Sequence, residues 1–340
     1  MIKFFNQNNS IYFIFFFNQI CSIRFFLNSS FFNKDIIYFY IYVLFTTFIF
    51  YFFYSRKILN FFLSNKVFYV ILSLFLIFMF YNYPIQENLK VNLQGSDQDN
   101  CYLDIANNII NSKNFIYSKS YLGNPCSTGL MAFLFYFPVF FFKNYFIFVP
   151  IIFLLIFKNC SYLISQSYKL SNLITFILMS NLVFLELSVS GSDFISISIS
   201  YVIGNIFFIQ GIKQNNNLKI FISFIFFLFF FGSRSVLLLS IFPLCFIYYY
   251  KFKKIKILIY FFTIFFLATN SFLIPYFLFQ PSDFPPFHLV SKAYWYFLNV
   301  KYVLLILAII LLYYRKYLIK LVDTNFEILI LSIVLLPLLL

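Results

Sequence analysis

Apolar residues fill most of the chain in long runs with short polar breaks between them, and only one polar interval, residues 84–129, is long. A helix needs ~20 residues to cross about 30 Å of hydrocarbon, with shorter runs tolerated by local thinning. Runs of that kind fall at 11–27, 36–54, 67–83, 130–157, 170–187, 193–209, 218–232, 235–250, 255–278, 296–314 and 324–340. The pattern predicts an all-α fold: a polytopic membrane helical bundle of about 10–11 transmembrane helices in a single domain over 1–340. The first run carries Asn18, Gln19 and Arg24, so a helix lying in the interface is its alternative. A secretory signal is a third reading, although no small-residue cleavage site follows. Pro138 and Pro150 inside the 130–157 run predict a kink or break near Lys143 and Asn144.

Within the polar interval, the stretch from Gly95 to Asn111 reads GSDQDNCYLDIANNIIN. From Tyr102 onward, Tyr102, Ile105, Ala106, Ile109 and Ile110 recur at the i, i+3, i+4, i+7, i+8 spacing of an amphipathic helix. The interval is therefore expected to lay a helix on the membrane surface.

Composition sharpens this picture. With 63% hydrophobic and 10% charged residues, the chain lies far outside the range of a soluble domain. Phe, Ile, Leu, Asn, Lys and Tyr dominate, the residues of A/T-rich codons, so the 59 Phe and 28 Tyr are read as nucleotide bias and no aromatic run as a cofactor box. The formal charge of +14 would suit nucleic acid only on a soluble basic face, and no nucleic-acid partner is expected. Lys and Arg instead sort by loop. One set of alternate loops holds 15 of the 24 basic residues with two acids, Asp323 and Glu327; the other holds nine basic residues and eight acids. Cytoplasmic loops are the ones enriched in Lys and Arg. The interval 84–129 is thus expected outside, with Glu186, Asp193, Arg234 and the 280–293 loop on the same face.

Motifs of soluble enzymes are missing: there is no phosphate-cradling Gly loop, no zinc spacing, and a single His. What the topology gathers on one face is a set of charges from distant parts of the chain. Asp97 and Asp99 form a D-x-D pair at the start of the loop helix. Two carboxylates so spaced can hold a divalent metal ion or leave one as a general base; an acid at a helix start can equally be only a cap. Asp104 reads as a solvated polar residue. Arg234, in Gly232-Ser233-Arg234-Ser235, is a lone charge between two apolar helices, hence a functional candidate or an interfacial snorkel. His288 and Lys292 are four apart, on one face of a helix, and could hold a phosphate; the neighbouring Tyr294, Trp295 and Tyr296 also suit an aromatic belt. Cys101 and Cys126 share the outer loop, where an oxidising compartment would permit a disulfide; Cys160 lies near the inner face, and Cys21 and Cys245 fall within spans.

The run D-Q-D-N-C-Y-L-D-I-A-N-N-I-I-N from Asp97, followed by Y-L-G-N-P and G-L-M-A, resembles the first external loop of the C-type (GT-C) polyprenol-dependent glycosyltransferase superfamily, which includes protein O-mannosyltransferases and lipid A aminoarabinose transferases. Such loops commonly read D-x-x-Y-x-x-x-A, matched here by Asp99, Tyr102 and Ala106, with Pro125 opening the next span. The run from His288 to Tyr296 is similar to the His-then-aromatic stretch by which some of these transferases re-enter the membrane. The chain departs from the family in having Gln98 and Asn100 where a second acid usually follows the first Asp, and the resemblance covers about a tenth of its length in motif terms.

The resemblance implies a glycosyltransferase of a bacterial inner (plasma) membrane, moving a sugar from a polyprenyl-phosphate donor to an acceptor at the outer face. Asp99, with Asp97 behind it, would be base or metal ligand; Arg234, His288, Lys292 and Tyr102 would bind donor and phosphate. A transporter or flippase of lipid-linked sugars is the alternative, and it would call for midplane charges and internal repeats, neither visible in the sequence. A polysaccharide polymerase or ligase is the third, expected to place its main loop later in the chain. Sugar, acceptor and oligomeric state are not encoded in any recognisable pattern.

Overall fold

A computed structural model of the chain describes residues 7–23, 26, 36–55, 63–90, 100–103, 107, 122, 126, 128–137 and 145–279. Among these, the regular structure is helical, with one isolated β-bridge. The helices are α1 (Gln7–Ile20), α2 (Ile36–Ser55), α3 (Asn65–Leu89), α4 (Leu130–Tyr136), α5 (Phe148–Ser165), α6 (Tyr168–Met179), α7 (Leu182–Val189), α8 (Phe194–Gln214), α9 (Asn217–Ser233), α10 (Ile241–Phe252) and α11 (Ile255–Phe279), with a 3-10 segment at Ser235–Ser240 leading into α10. Among the described residues six helices are long and apolar enough to span: α2, α3, α5, α8, α10 with its 3-10 lead, and α11. The chain is an integral membrane helical bundle. Large apolar side chains point outward along these helices, Leu44 69% and Phe262 70% exposed, as lipid rather than water would allow.

Polar side chains end and start these helices where the short breaks demand it. Ser64, Ser167, Asn181 and Asn216 cap α3, α6, α7 and α9, each accepting from a backbone N–H of the first turn. Gln166 and Lys253 adopt left-handed conformations that close α5 and α10. Pro150 stands in the first turn of α5, where no intrahelical N–H is lost. The chain therefore separates α4 and α5 within the 130–157 run, although Pro138, Lys143 and Asn144 themselves lie outside the described residues. At Pro84 the polar interval was expected to begin, yet α3 runs through it to Leu89 and ends in an i,i+3 ion pair of Glu87 with Lys90.

The chain sorts into two compact units. One comprises Met1–Ser96 and Asn144–Ser196, the other Asp97–Lys143 and Ile197–Leu340, with the boundary falling inside α8.

In the first unit the run 170–187 is broken: α6 and α7 meet at Ser180 and Asn181 with a bend of 73°. A break within lipid exposes backbone groups that must find partners. The polar residues of the first apolar run supply them. Asn18 Nδ2 donates to the Ile177 carbonyl at 2.7 Å, Gln19 Nε2 donates to Ser180 Oγ at 2.9 Å, and Ser22 Oγ accepts from Leu182 N–H at 3.2 Å. Asn181 Nδ2 returns a bond to the Asn18 carbonyl, and Tyr42 Oη reaches Gln19 Oε1, both at 2.5 Å. Gln19 and Ser22 are fully buried, so these side chains plug a helix break. Beside them, Phe15 stacks on Phe50 at 4.0 Å in a cluster with Leu63, Leu173 and Ile177.

Lys158, one of the 15 basic residues assigned from sequence to the Lys- and Arg-rich loops, lies instead in α5 and is buried, its ammonium donating to Tyr69 Oη at 3.1 Å and lying 4.6 and 4.3 Å from the Phe68 and Tyr69 ring centres. The aromatic rings supply the negative face that makes an ammonium tolerable there.

In the second unit α9 packs on α4 and α11, and α10 packs on α11. The sequence of α9, apolar on every side, is explained by burial of its last turns: Phe227, Phe229, Phe230, Phe231, Gly232 and Ser233 are all enclosed. Tyr248 Oη donates to Asn205 Oδ1 at 2.7 Å, and Ser223 and Tyr260 share a hydroxyl bond at 2.8 Å, so these four polar side chains are paired within the core.

Candidate functional site: the helix break at Arg234

The C-terminal end of α9 is the place in the second unit where sequence and structure both concentrate polar chemistry. The helix stops at Ser233, Arg234 is extended with φ −137° and ψ 126°, and the chain resumes as the 3-10 segment. A helix that ends inside a bundle leaves carbonyls that water cannot reach. Ser271 of α11 donates its hydroxyl to the Gly232 carbonyl at 3.1 Å, and the Gly129 N–H donates to the Ser233 carbonyl at 3.2 Å.

The opposite deficit exists at the start of α4, whose first N–H groups need acceptors. Ser271 Oγ accepts from Met131 N–H at 2.9 Å, so one hydroxyl satisfies the start of α4 and the end of α9 together. Gly129 caps α4 without a side chain. A Cβ at Gly129 would overlap the Gly232 carbonyl oxygen and stand 2.6 Å from Ser271 Oγ. Glycine is required here by close approach, not by a special backbone conformation.

Immediately before Gly129, Thr128 forms an antiparallel bridge with Arg234. Thr128 and Ser235 flank the arginine, both buried, and each carries a hydroxyl oxygen with no hydrogen-bond partner. Arg234 itself is half-buried. Two residues ahead of Thr128, Cys126 is joined in a disulfide to Cys101, with Cα atoms 5.4 Å apart. Cys101 belongs to the helical turn 100–103, so the disulfide and the bridge together tie the start of the loop helix to the break.

Tyr102 sits in that same turn. Its ring is fully buried and packs edge-on against Tyr136 of α4 at 4.9 Å, and Tyr136 in turn packs on Phe229 of α9 at 5.5 Å. Tyr102, expected from sequence to bind the donor, is placed by this packing against α4. Beyond the turn, Asn107 is the described residue of the expected amphipathic helix.

Of the other site residues expected from sequence, Asp97, Asp99, His288 and Lys292 lie outside the described residues, as does Asp104. Among the described residues no three His, Cys, Asp or Glu side chains gather as a metal site would need. Asp193 is fully buried at the start of α8, following a turn in which Gly191 takes φ 70°. Gly129, Thr128 and Ser271 were not singled out by the sequence. Only Gly129, in the G-L-M-A run, stood next to a motif; Ser271 is one serine in an apolar helix with nothing to mark it. Comparisons with protein-family models, with curated proteins and with solved structures return no match for this chain.

Proposed function

We propose that the protein is a membrane glycosyltransferase that takes a sugar from a polyprenyl-phosphate donor and passes it to an acceptor hydroxyl at the outer face of the membrane. The observation that carries the reading is the break at Arg234. Arg234 stands at the end of a buried helix, bridged through its backbone to Thr128 and followed by Ser235, and the buried hydroxyls of these two neighbours have no hydrogen-bond partner. Such a set of donors suits the oxygens of a leaving phosphate. The bridge partner Thr128 is coupled through the Cys101–Cys126 disulfide to the turn that begins one residue after Asp99 in sequence. The disulfide also supports a loop facing an oxidising compartment.

In this reading Asp99 takes the proton of the acceptor hydroxyl as the new glycosidic bond forms, with Asp97 beside it. Arg234, aided by His288 and Lys292, steadies the polyprenyl phosphate that departs with the bonding electrons. The test is sugar transfer from a polyprenyl-linked donor by purified protein in lipid. Asp99→Asn and Arg234→Gln should each lower the rate on the order of a hundredfold or more, with Asp104→Asn mild. Equal rates in all of them would end the proposal.

A second reading, a transporter or flippase of lipid-linked sugars, draws on a specific observation as well. The 73° bend between α6 and α7 makes them a discontinuous helix of the kind found around transport sites. Movement of a labelled lipid-linked sugar across vesicles without any sugar transfer would favour it.

A further inference from the structure

At one end of the second unit lies a feature that the break at Arg234 does not use. Between residues 194 and 282 the sequence contains seven basic residues and no Asp or Glu. Six of the seven are lysines: Lys213 and Lys219 beside the turn that links α8 to α9, and Lys251, Lys253, Lys254 and Lys256 around the turn that links α10 to α11. The two turns are neighbours. Lys254 Nζ reaches across to Asn215 Oδ1 at 3.3 Å and to the Ile212 carbonyl at 3.4 Å. Lys219 is held by Gln210 and Gln214, each at 2.8 Å, while Lys253, Lys254 and Lys256 are exposed.

An apolar groove of about 480 Å³ lies between α10 and α11, its lining on α11 beginning at Leu258, two residues after Lys256. It is lined by Ile241, Cys245, Leu258, Ile259 and Phe262 among others, and by Phe242 and Phe265, whose ring centres are 5.2 Å apart. Phe265 lies ten residues into α11, so the groove reaches roughly 15 Å from the lysine turn, about one leaflet of a ~30 Å hydrocarbon core. Lysines in the turn that precedes this hydrocarbon lining match a molecule with an anionic head and an acyl tail. Lysine clusters next to a membrane helix attract anionic headgroups.

We propose that the α10–α11 groove is a binding site for an anionic phospholipid of the bilayer, its acyl chain along Cys245, Leu258 and Phe262 and its phosphate on Lys253, Lys254 and Lys256. The commitment to phospholipid rests on charge complementarity between the acid-free lysine turns and the headgroup, and on the bilayer as the supply of chains of this length.

Cys245 provides the readout, because it lines the groove and carries a free thiol; Cys21, also free and exposed, is the internal control. Purified, delipidated full-length protein in detergent is alkylated with a maleimide, and the two sites are followed by peptide mass spectrometry. Added phosphatidylglycerol should slow modification of Cys245 on the order of tenfold relative to the same amount of phosphatidylcholine, with Cys21 unchanged. Lys253→Gln/Lys254→Gln/Lys256→Gln should erase the difference, and the matching Lys→Arg triple should keep it. If the Gln triple does not fold, the comparison of the two lipids on the natural chain still decides. Equal protection by both lipids overturns the proposal, as does a Gln triple that retains the preference. Protection with no lipid added means that another part of the chain fills the groove. Stronger protection by polyprenyl phosphate than by phosphatidylglycerol assigns the groove to an isoprenoid lipid. Either result also overturns it.

Discussion

Gly129→Ala isolates the packing on which the Arg234 break depends. The backbone at this position, φ −79° and ψ 156°, is one that alanine adopts freely, so no conformational strain is introduced. Through the unfolded chain alone, the change would stabilise the protein by about 0.4–1 kcal/mol. Against this stands the new Cβ, which overlaps the Gly232 carbonyl oxygen and lies 2.6 Å from Ser271 Oγ and 2.8 Å from a ring carbon of Phe272. Relief requires α4 to back away from α9 and α11. Overpacking of this kind costs ~1–3 kcal/mol. The shift also lengthens two bonds, Gly129 N–H to the Ser233 carbonyl and Met131 N–H to Ser271 Oγ, each contributing about 1 kcal/mol. The net expectation is a loss of roughly 2–4 kcal/mol. It is read as a drop of several degrees in the unfolding temperature of the purified protein in detergent. Ser271→Ala sharpens the test, since Ser271 is both a relay and one of the clashing atoms. The Gly129→Ala/Ser271→Ala double variant should lose less than the two single variants combined. A Gly129→Ala protein as stable as the natural one, or additive losses in the double variant, would refute the close approach described here.

Other changes carry distinct signs. Cys101→Ser with Cys126→Ser frees a closed loop set by a separation of 25 residues and should cost ~3 kcal/mol, and alkylation of the untreated protein should find both thiols blocked. Tyr69→Phe keeps the ring beside Lys158 but removes the hydroxyl that its ammonium bonds, so stability should fall by about 1 kcal/mol, whereas Lys158→Met removes the buried charge altogether and should be neutral or stabilising. Asn181→Ala strips the cap of α7 and the bond to Asn18 at once, with an expected loss of about 2 kcal/mol in thermal unfolding.

The helical architecture was legible because one physical requirement dominates it. Hydrocarbon forces every backbone group of a spanning segment into its own helix, so length and apolar content mark the segments directly. That logic fails where a helix breaks, because a break inside a bundle looks in sequence like one more apolar stretch. The 170–187 run contains Ser180 and Asn181, which a span tolerates as readily as a bend does. What makes them a bend is the supply of donors from Asn18, Gln19 and Ser22, about 160 residues away in sequence. Those same polar residues made the first run look poorly suited to burial. The irregularity that weakened the first helix assignment and the break that the second run concealed are halves of one hydrogen-bonded contact.

The site was legible to the degree that its chemistry is carried by charge. Arg234 is conspicuous because a cation among apolar helices is costly, and Cys101 and Cys126 because they share one loop. The residues that make Arg234 a fixed feature are quiet ones. Gly129 and Gly232 matter only because two helix ends approach within contact, and Ser271 only because one hydroxyl lies between a donor it accepts and a carbonyl it serves. No local pattern encodes such a meeting, since each residue alone suits an ordinary apolar helix. The consequence bears on function. The conformation of Arg234 is set by α4 and α11 together, so a substitution at Ser271 or Gly129 can misplace the guanidinium without touching the loop that carries Asp99. A loss of transfer in Ser271→Ala, with the Cys101–Cys126 disulfide intact and protein yield unchanged, would be the signature of that coupling.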